Sequence, residues 1–110
     1  MTLQVSLRND NLQLIFAPLF HHFPEIQRLI LFGSRARGDH DERSDIDIAI
    51  DAEMITRARW DDIYFFKEEN LDTLLSIDLV WIQRASERLK QQISKEGVTL
   101  FEREINAKYE

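Results

Sequence analysis

The chain has 110 residues, of which 44% are hydrophobic and 31% are charged, and it contains no cysteine. This composition predicts one globular domain, residues 1–110, and excludes a disulfide framework and a thiolate metal site. The net charge of −6 argues against direct nucleic-acid binding, which needs clustered Lys and Arg. No apolar run approaches the roughly 20 residues that span a bilayer, so we expect a cytoplasmic protein that binds no membrane.

The periodicity of apolar residues predicts helices and strands along the chain. The predicted helices cover residues 6–22, 56–69 and 86–95, with a charged helical tail over residues 102–110. Pro18 lies inside the first helix and predicts a kink or an early end there. Ser86 is the expected N-cap of the third helix and Gly97 its C-cap. The predicted strands cover residues 27–32, 45–51, 76–82 and 98–101, with at most one helical turn at 36–38 and a loop at 39–44.

This order of elements predicts an α+β fold, a small mixed β-sheet with helices packed mainly on one face. On the opposite face, the side chains of Asp45, Asp47 and Asp78 could converge. A chain of this length is expected to leave that face uncovered. We therefore expect an open cleft or a partner-binding surface there.

Three aspartates lie in strands that are otherwise apolar. Asp45 and Asp47 alternate with three isoleucines, so both carboxylates project from one face of the strand and the isoleucines from the other. Neighbouring carboxylates repel each other unless a cation lies between them. Asp78 alone would be interpreted as a strand-start residue that caps a backbone N–H, but beside the other two it completes an oxygen-only donor set. Such a set suits Mg²⁺, whose remaining ligands are commonly substrate phosphates.

A glycine–serine pair follows the first strand directly. Gly33 lets the backbone approach a ligand closely, and the Ser34 hydroxyl with the following N–H groups can bind phosphate oxygens. Arg35 and Arg37 add guanidinium groups, whose geometry suits bidentate contact with phosphate. The segment therefore predicts a phosphate-binding turn, with either arginine alternatively a solvated surface base.

Two commoner motifs do not fit this segment. Gly33 and Gly38 have the Walker A spacing, but Asp39 and His40 stand where that motif needs Lys and Ser or Thr. The acidic loop is not an EF-hand, because Arg43 and the residue after it break the ligand spacing and replace the required glycine.

Three other polar residues are weaker candidates. Asp51 has the same strand parity as Asp47 but lies at the strand end, and we interpret it as a supporting or structural residue. His21 and His22 could ligate a metal, but two histidines at the end of a helix are more often plain surface residues.

The whole constellation resembles the signature of polymerase-beta-type nucleotidyltransferases, in the short form of the minimal nucleotidyltransferase (MNT) family. The resembling segments are GSRARG at 33–38, SDIDIAID at 44–51, Asp78, and EGVTLFE at 96–102. The resemblance therefore extends over positions from about 27 to 101. It implies the polymerase-beta-like nucleotidyltransferase fold.

The resemblance also implies residue roles. Asp45 and Asp47 would hold two Mg²⁺ ions that bind the triphosphate of ATP, and Asp78 would help hold the second ion and activate the incoming hydroxyl. Gly33 and Ser34 would cradle the phosphates. Arg35, Arg37 and Ser44 would be further nucleotide-binding residues. In-line attack on the α-phosphorus would transfer a nucleoside monophosphate and release pyrophosphate.

Finally, the resemblance implies a partner. Such short proteins are the antitoxin half of a pair whose toxin is a small helical HEPN protein, and AMP would pass from ATP to a tyrosine of that toxin. Two alternatives stay open. The chain could be a stoichiometric antitoxin that binds without catalysis, or a small-molecule nucleotidyltransferase with a helical substrate-binding subunit.

Overall fold

The structure, a computed structural model, describes the backbone of residues 7–103 and the side chains of residues 11–103. The helices are α1 (Leu7–His22), α2 (Ser34–Arg37), α3 (Arg57–Asn70) and α4 (Glu87–Glu96), with a 3₁₀ turn at Ile82–Arg84. The strands are β1 (Arg28–Phe32), β2 (Ile46–Asp51), β3 (Ile77–Trp81) and β4 (Val98–Glu102).

The four strands form one mixed sheet in the order β3-β2-β1-β4. Strand β1 pairs antiparallel with β2 and with β4, whereas β2 and β3 run parallel. Helix α3 lies between β2 and β3 in the chain and makes the crossover that a parallel pair needs. The predicted α+β class and the mixed sheet are confirmed.

One face of the sheet packs against the two long helices α1 and α3. Alternate residues of β1 and β2 point to this side, because side chains alternate between the two faces of a strand. They meet Phe16 and Leu19 of α1 and Ile63 of α3, all fully buried. The buried sheet residues of this core are Leu29, Leu31, Ile46, Ile48 and Ile50, with Leu100 of β4.

The other face is partly covered by α4, so the expectation that the chain leaves this face uncovered is wrong. Ile93 of α4 is buried against Ile30, Phe32 and Ala49, and Leu89 packs beside it. Helix α4 is amphipathic, and its apolar side, with Leu89 and Ile93, packs on this face of the sheet. Ser86 accepts a hydrogen bond from the Leu89 N–H at 3.1 Å, which confirms the predicted N-cap.

Several element ends differ from the prediction. Helix α1 continues through Pro18 to His22 without ending early, since Leu19 and Phe20 beyond the proline are buried in the core. Strand β2 begins at Ile46, one residue later than predicted, and Glu102 closes β4 where a helical tail was predicted. The rest of that tail, residues 104–110, lies outside the described residues. Within residues 7–103, no helix is both long enough and apolar enough to cross a membrane.

Candidate active site

Asp47 and Asp78 are neighbours on adjacent parallel strands. The register of β2 and β3 pairs Asp47 with Asp78, so both side chains project from the same face, the one that α4 partly covers. On the other side of β2, Asp47 pairs with Phe32, the last residue of β1. Asp45 lies immediately before β2 and is exposed, as is Asp78, while Asp47 is half-buried. The three predicted acids therefore surround one end of β2.

The pKa of Asp47 is raised above its ordinary value. Burial is the largest cause, the negative charges of Asp78, Asp45 and Glu96 raise the pKa further, and Arg37 opposes them. Among the residues whose side chains the structure describes, none donates a hydrogen bond or forms an ion pair to the carboxylate of Asp45, Asp47 or Asp78. Unpaired, mutually repelling carboxylate oxygens are the donor set that a hard divalent cation such as Mg²⁺ neutralises.

The carboxylates are not already grouped as a closed metal cage. Within residues 11–103, no three His, Cys, Asp or Glu side chains are arranged as a complete metal-binding group. Mg²⁺ typically takes one or two protein carboxylates, with water and substrate phosphates as its other ligands. An open pair of carboxylates, Asp47 with one neighbour, fits that mode of binding.

Gly33 forms a turn directly beside Asp47. Its backbone has φ 78° and ψ −158°, a conformation that is strained for any residue with a side chain. A Cβ atom at Gly33 would lie 2.2 Å from Oδ2 of Asp47. Only glycine therefore lets the turn and the Asp47 carboxylate approach each other this closely. Helix α2 begins at the next residue, Ser34, and the first N–H groups of a helix have no acceptor within the helix.

Glu96, at the end of α4, is a site residue that the sequence analysis did not identify as functional. Its carboxylate accepts a hydrogen bond from the Gly33 N–H at 2.7 Å and from Nη1 of Arg37 at 3.1 Å. Gln92, one turn earlier in α4, donates a third bond at 3.1 Å. Burial alone would raise the pKa of Glu96, but the hydrogen bonds from Gln92, Gly33 and Arg37 outweigh it and lower this pKa. The only sequence signal for Glu96 was its membership of the EGVTLFE segment.

The arginines of the phosphate-binding segment have different surroundings. Arg37 is held at Nε by Asp39 at 3.1 Å and at Nη1 by Glu96, and these hydrogen bonds raise its pKa. Arg35 instead donates to the carbonyl oxygens of the loop before β2, among them Ser44 at 3.0 Å. Arg35 therefore holds the loop that leads to Asp45.

Ser44 also acts within this loop. Its hydroxyl accepts a hydrogen bond from the Asp41 N–H at 3.0 Å, and the Asp41 carboxylate in turn accepts from the Arg43 N–H at 2.8 Å. These bonds close a short turn just before Asp45. In the structure, Ser44 thus shapes the loop.

The weaker candidates lie in other surroundings. Asp51 accepts hydrogen bonds from Arg28 at 2.9 Å and from Gln83 at 2.7 Å, which ties β1, β2 and the 3₁₀ turn together. His22 packs against the aromatic ring of Phe66 with ring centroids 4.6 Å apart, and both histidines are exposed at the end of α1. These contacts agree with a structural role for Asp51 and a surface position for the histidines.

Comparisons with known proteins connect this geometry to a family. The family model described as polymerase beta, nucleotidyltransferase, matches residues 16–106. A search of curated proteins finds no match.

Among solved structures, a toxin–antitoxin crystal structure with AMP-PNP is 29% identical, with a TM-score of 0.62, covering 84% of this chain and 74% of the other. A mutant of the MntA–HpeT toxin–antitoxin is 31% identical, with a TM-score of 0.61, and the match covers 92% of this chain and 76% of the other. A tri-AMPylated HEPN toxin of Shewanella oneidensis in complex with MNT antitoxin gives a match of 28% identity and TM-score 0.55, covering 88% and 71%.

Proposed function

The chain belongs to the polymerase-beta nucleotidyltransferase family, and from this premise we propose that it transfers AMP from ATP to a tyrosine hydroxyl of a helical HEPN toxin, as the antitoxin of that toxin. One domain, residues 1–110, carries the activity, which depends on Mg²⁺. One observation carries the proposal: the unpaired carboxylates of Asp47 and Asp78 share a sheet face beside the Gly33 turn.

Ser34 and Arg37 bind the triphosphate, and Gly33 forms the close turn that receives it, with its own N–H held by Glu96. The turn at Gly33 leads into α2, where the N–H groups of Ala36 and Arg37 bond the Gly33 carbonyl and those of Ser34 and Arg35 are left for a ligand. Arg37 keeps the Nη2 end of its guanidinium clear of any acceptor within residues 11–103, while its other nitrogens are held by Asp39 and Glu96. A guanidinium fixed on one side and open on the other suits contact with a phosphate oxygen.

Asp45, Asp47 and Asp78 would hold the two metal ions, each ion taking one or two of these carboxylates. When bound, Mg²⁺ neutralises the triphosphate and stabilises the charge that develops on the attacking and leaving oxygens. Asp47 is central, because burial and then its two acidic neighbours raise its pKa, and because it lies against Gly33. Arg35 and Ser44 contribute indirectly, through the loop that sets the position of Asp45.

The acceptor enters over Asp78, which is exposed at the start of β3. Its carboxylate accepts the proton of the attacking hydroxyl. The hydroxyl oxygen forms a bond to the α-phosphorus as the bond from that phosphorus to the pyrophosphate oxygen breaks. The products are an AMP ester of the acceptor and pyrophosphate.

The identity of the acceptor is supported by the solved relatives. One is a toxin–antitoxin with AMP-PNP, and another is a tri-AMPylated HEPN toxin with its MNT antitoxin, at 29% and 28% identity. These matches favour a HEPN protein as partner and an adenine nucleotide as donor. The tyrosine follows from the resemblance stated above.

A transfer assay with ATP labelled at the α-phosphate tests this proposal. The chain is incubated with Mg²⁺, the labelled ATP and its helical partner, and the products are separated by size. Label that migrates with the partner, and is lost with Asp78→Asn, is the expected result. Label in a small molecule would identify a small-molecule nucleotidyltransferase, and silencing of the toxin with no label anywhere would identify a stoichiometric antitoxin.

A further inference from the structure

Glu96 connects two parts of the chain that are far apart in sequence. It is the last residue of α4, and its carboxylate accepts a hydrogen bond from the N–H of Gly33, a residue 63 positions earlier in the sequence. Helix α4 is itself fixed to the sheet by Ile93, which is buried against β1 and β2. The contact therefore couples the packing of α4 to the turn beside Asp47.

The Glu96 carboxylate is almost completely used by this contact. Its side chain is 16% exposed, and its two oxygens accept bonds from Gly33, Arg37 and Gln92. Nη1 of Arg37 lies 3.1 Å from one Glu96 oxygen and 3.2 Å from the other. One guanidinium nitrogen shared by both Glu96 oxygens, with Nε held by Asp39, restricts the orientation of the Arg37 side chain.

In the proposed function, Arg37 binds the triphosphate and Gly33 forms the turn that receives it. Without Glu96, the bond that holds Arg37 among residues 11–103 would be the one from its Nε to the exposed Asp39, and its Nη1 end would be free to move. Ordering such a group at the moment of binding costs free energy. The Gly33 peptide would otherwise lack a partner for its N–H. The bonds of Glu96 reduce both costs, because they hold the two groups from within the protein itself.

We propose that Glu96 is a positioning residue for nucleotide binding, which holds Arg37 and the Gly33 turn in the arrangement that receives the triphosphate. The inference rests on the proposed function and assigns a role that the family signature of glycine, serine and aspartates does not include. Glu96 acts through Arg37 and Gly33 and does not itself contact the nucleotide.

Titration calorimetry with Mg²⁺ and AMP-PNP tests this role. Glu96→Ala is expected to raise the Kd about tenfold, the size that corresponds to losing one hydrogen bond to a charged group. Glu96→Gln is expected to raise it by less, since the amide oxygen still accepts from the Gly33 N–H. The controls are Glu87→Ala and Glu87→Gln on the same helix, where the side chain is 84% exposed, and both are expected to bind like the wild type.

A double-mutant cycle separates positioning from a general effect on stability. If Glu96 acts through Arg37, Glu96→Ala costs clearly less binding in an Arg37→Ala background than in the wild type. In the transfer assay the KM for ATP should rise more than kcat falls. Thermal unfolding monitored by circular dichroism identifies folded variants, and Glu96→Gln replaces Glu96→Ala if the latter does not fold.

The outcomes distinguish this inference from the proposed function. Wild-type affinity in the Glu96 variants, tighter binding, or an equal cost with and without Arg37 would each overturn the positioning role. Tighter binding would mean that Glu96 competes with phosphate for the same donors. A wild type that binds AMP-PNP but transfers no AMP would overturn the proposed function alone, and one that does neither would overturn both.

Discussion

Gly33→Ala is the substitution for which the structure gives the clearest expected cost. The backbone at Gly33 has φ 78° and ψ −158°, and a residue with a side chain pays about 1–3 kcal/mol in such a region. The new Cβ would also lie 2.2 Å from Oδ2 and 3.1 Å from Cγ of Asp47. Overpacking of this kind costs about 1–3 kcal/mol. Rotation of the Asp47 carboxylate relieves part of the clash, so we expect a total loss of roughly 2–4 kcal/mol.

The same rotation would move the Asp47 carboxylate away from the turn. Gly33→Ala should therefore lose AMP transfer even under conditions in which it is fully folded. Urea unfolding measures the loss of stability, and the labelled-ATP assay measures the loss of activity. Gly38→Ala is the matched control, because Gly38 also has a positive φ, 90°, but is exposed. It should lose only about 1–2 kcal/mol, the cost of a left-handed residue.

A double substitution isolates the contact between Gly33 and Asp47. In an Asp47→Ala background the carboxylate is gone, so Gly33→Ala should cost the backbone term, about 1–3 kcal/mol, and little beyond the remaining 3.3 Å contact with the Cβ at position 47. If Gly33→Ala is no less stable than Gly38→Ala and still transfers AMP, the close approach has no consequence and the reasoning is wrong.

Three further predictions concern binding and pH. With Mg²⁺ present, AMP-PNP at 100 times its Kd should stabilise the wild type by about 2.7 kcal/mol, which is measured as a higher urea midpoint. Asp45→Asn should remove most of this gain. An equal gain without Mg²⁺ would contradict the prediction. In EDTA at neutral pH, Asp47→Asn should raise the thermal midpoint, because the raised pKa of Asp47 means that its charge destabilises the fold. The advantage should shrink as the pH falls through that raised pKa toward the ordinary value of 3.8, where the wild-type carboxyl is protonated; a constant difference would refute this cause. The pKa of Glu25 is lowered, chiefly by its hydrogen bond from Arg59. The charged carboxylate therefore stabilises the fold at a pH above its ordinary pKa of 4.5, and this stabilisation is lost as the pH falls through the lowered pKa. Glu25→Gln should accordingly lower the urea midpoint at neutral pH but not in strong acid, and no effect at either pH would show that the pair contributes nothing.

The elements with strong local signals were predictable from the sequence. Strand β2 shows isoleucine alternation, and α4 has a serine N-cap and an amphipathic pattern, so pattern alone locates both. The cross-strand pairing of Asp47 with Asp78 was predictable only in outline. Alternation fixes the face of each residue. The parallel register between β2 and β3 depends instead on how α3, which connects the two strands in the chain, packs on the sheet.

The contacts around the phosphate-binding turn were not predictable, because they join residues distant in sequence or depend on side-chain conformation. Glu96 is an acidic residue near a helix end, and apart from its place in the EGVTLFE segment nothing local marks it as a site residue. Its role appears only when α4 lies on the second sheet face and brings it to Gly33. Likewise, Arg35 and Arg37 are only two residues apart in the sequence. Their partners differ because the loop after Gly38 brings Ser44 to Arg35, while α4 brings Glu96 to Arg37.

The most direct test of the proposed activity is intact-mass spectrometry of the cognate helical partner. The partner is incubated with this protein, ATP and Mg²⁺, beside an Asp45→Asn variant of this protein as control. Transfer predicts that the partner gains mass in steps of one AMP with the wild type and gains none with the variant. A partner that is silenced without any gain in mass would contradict catalysis and leave only a binding role for the fold.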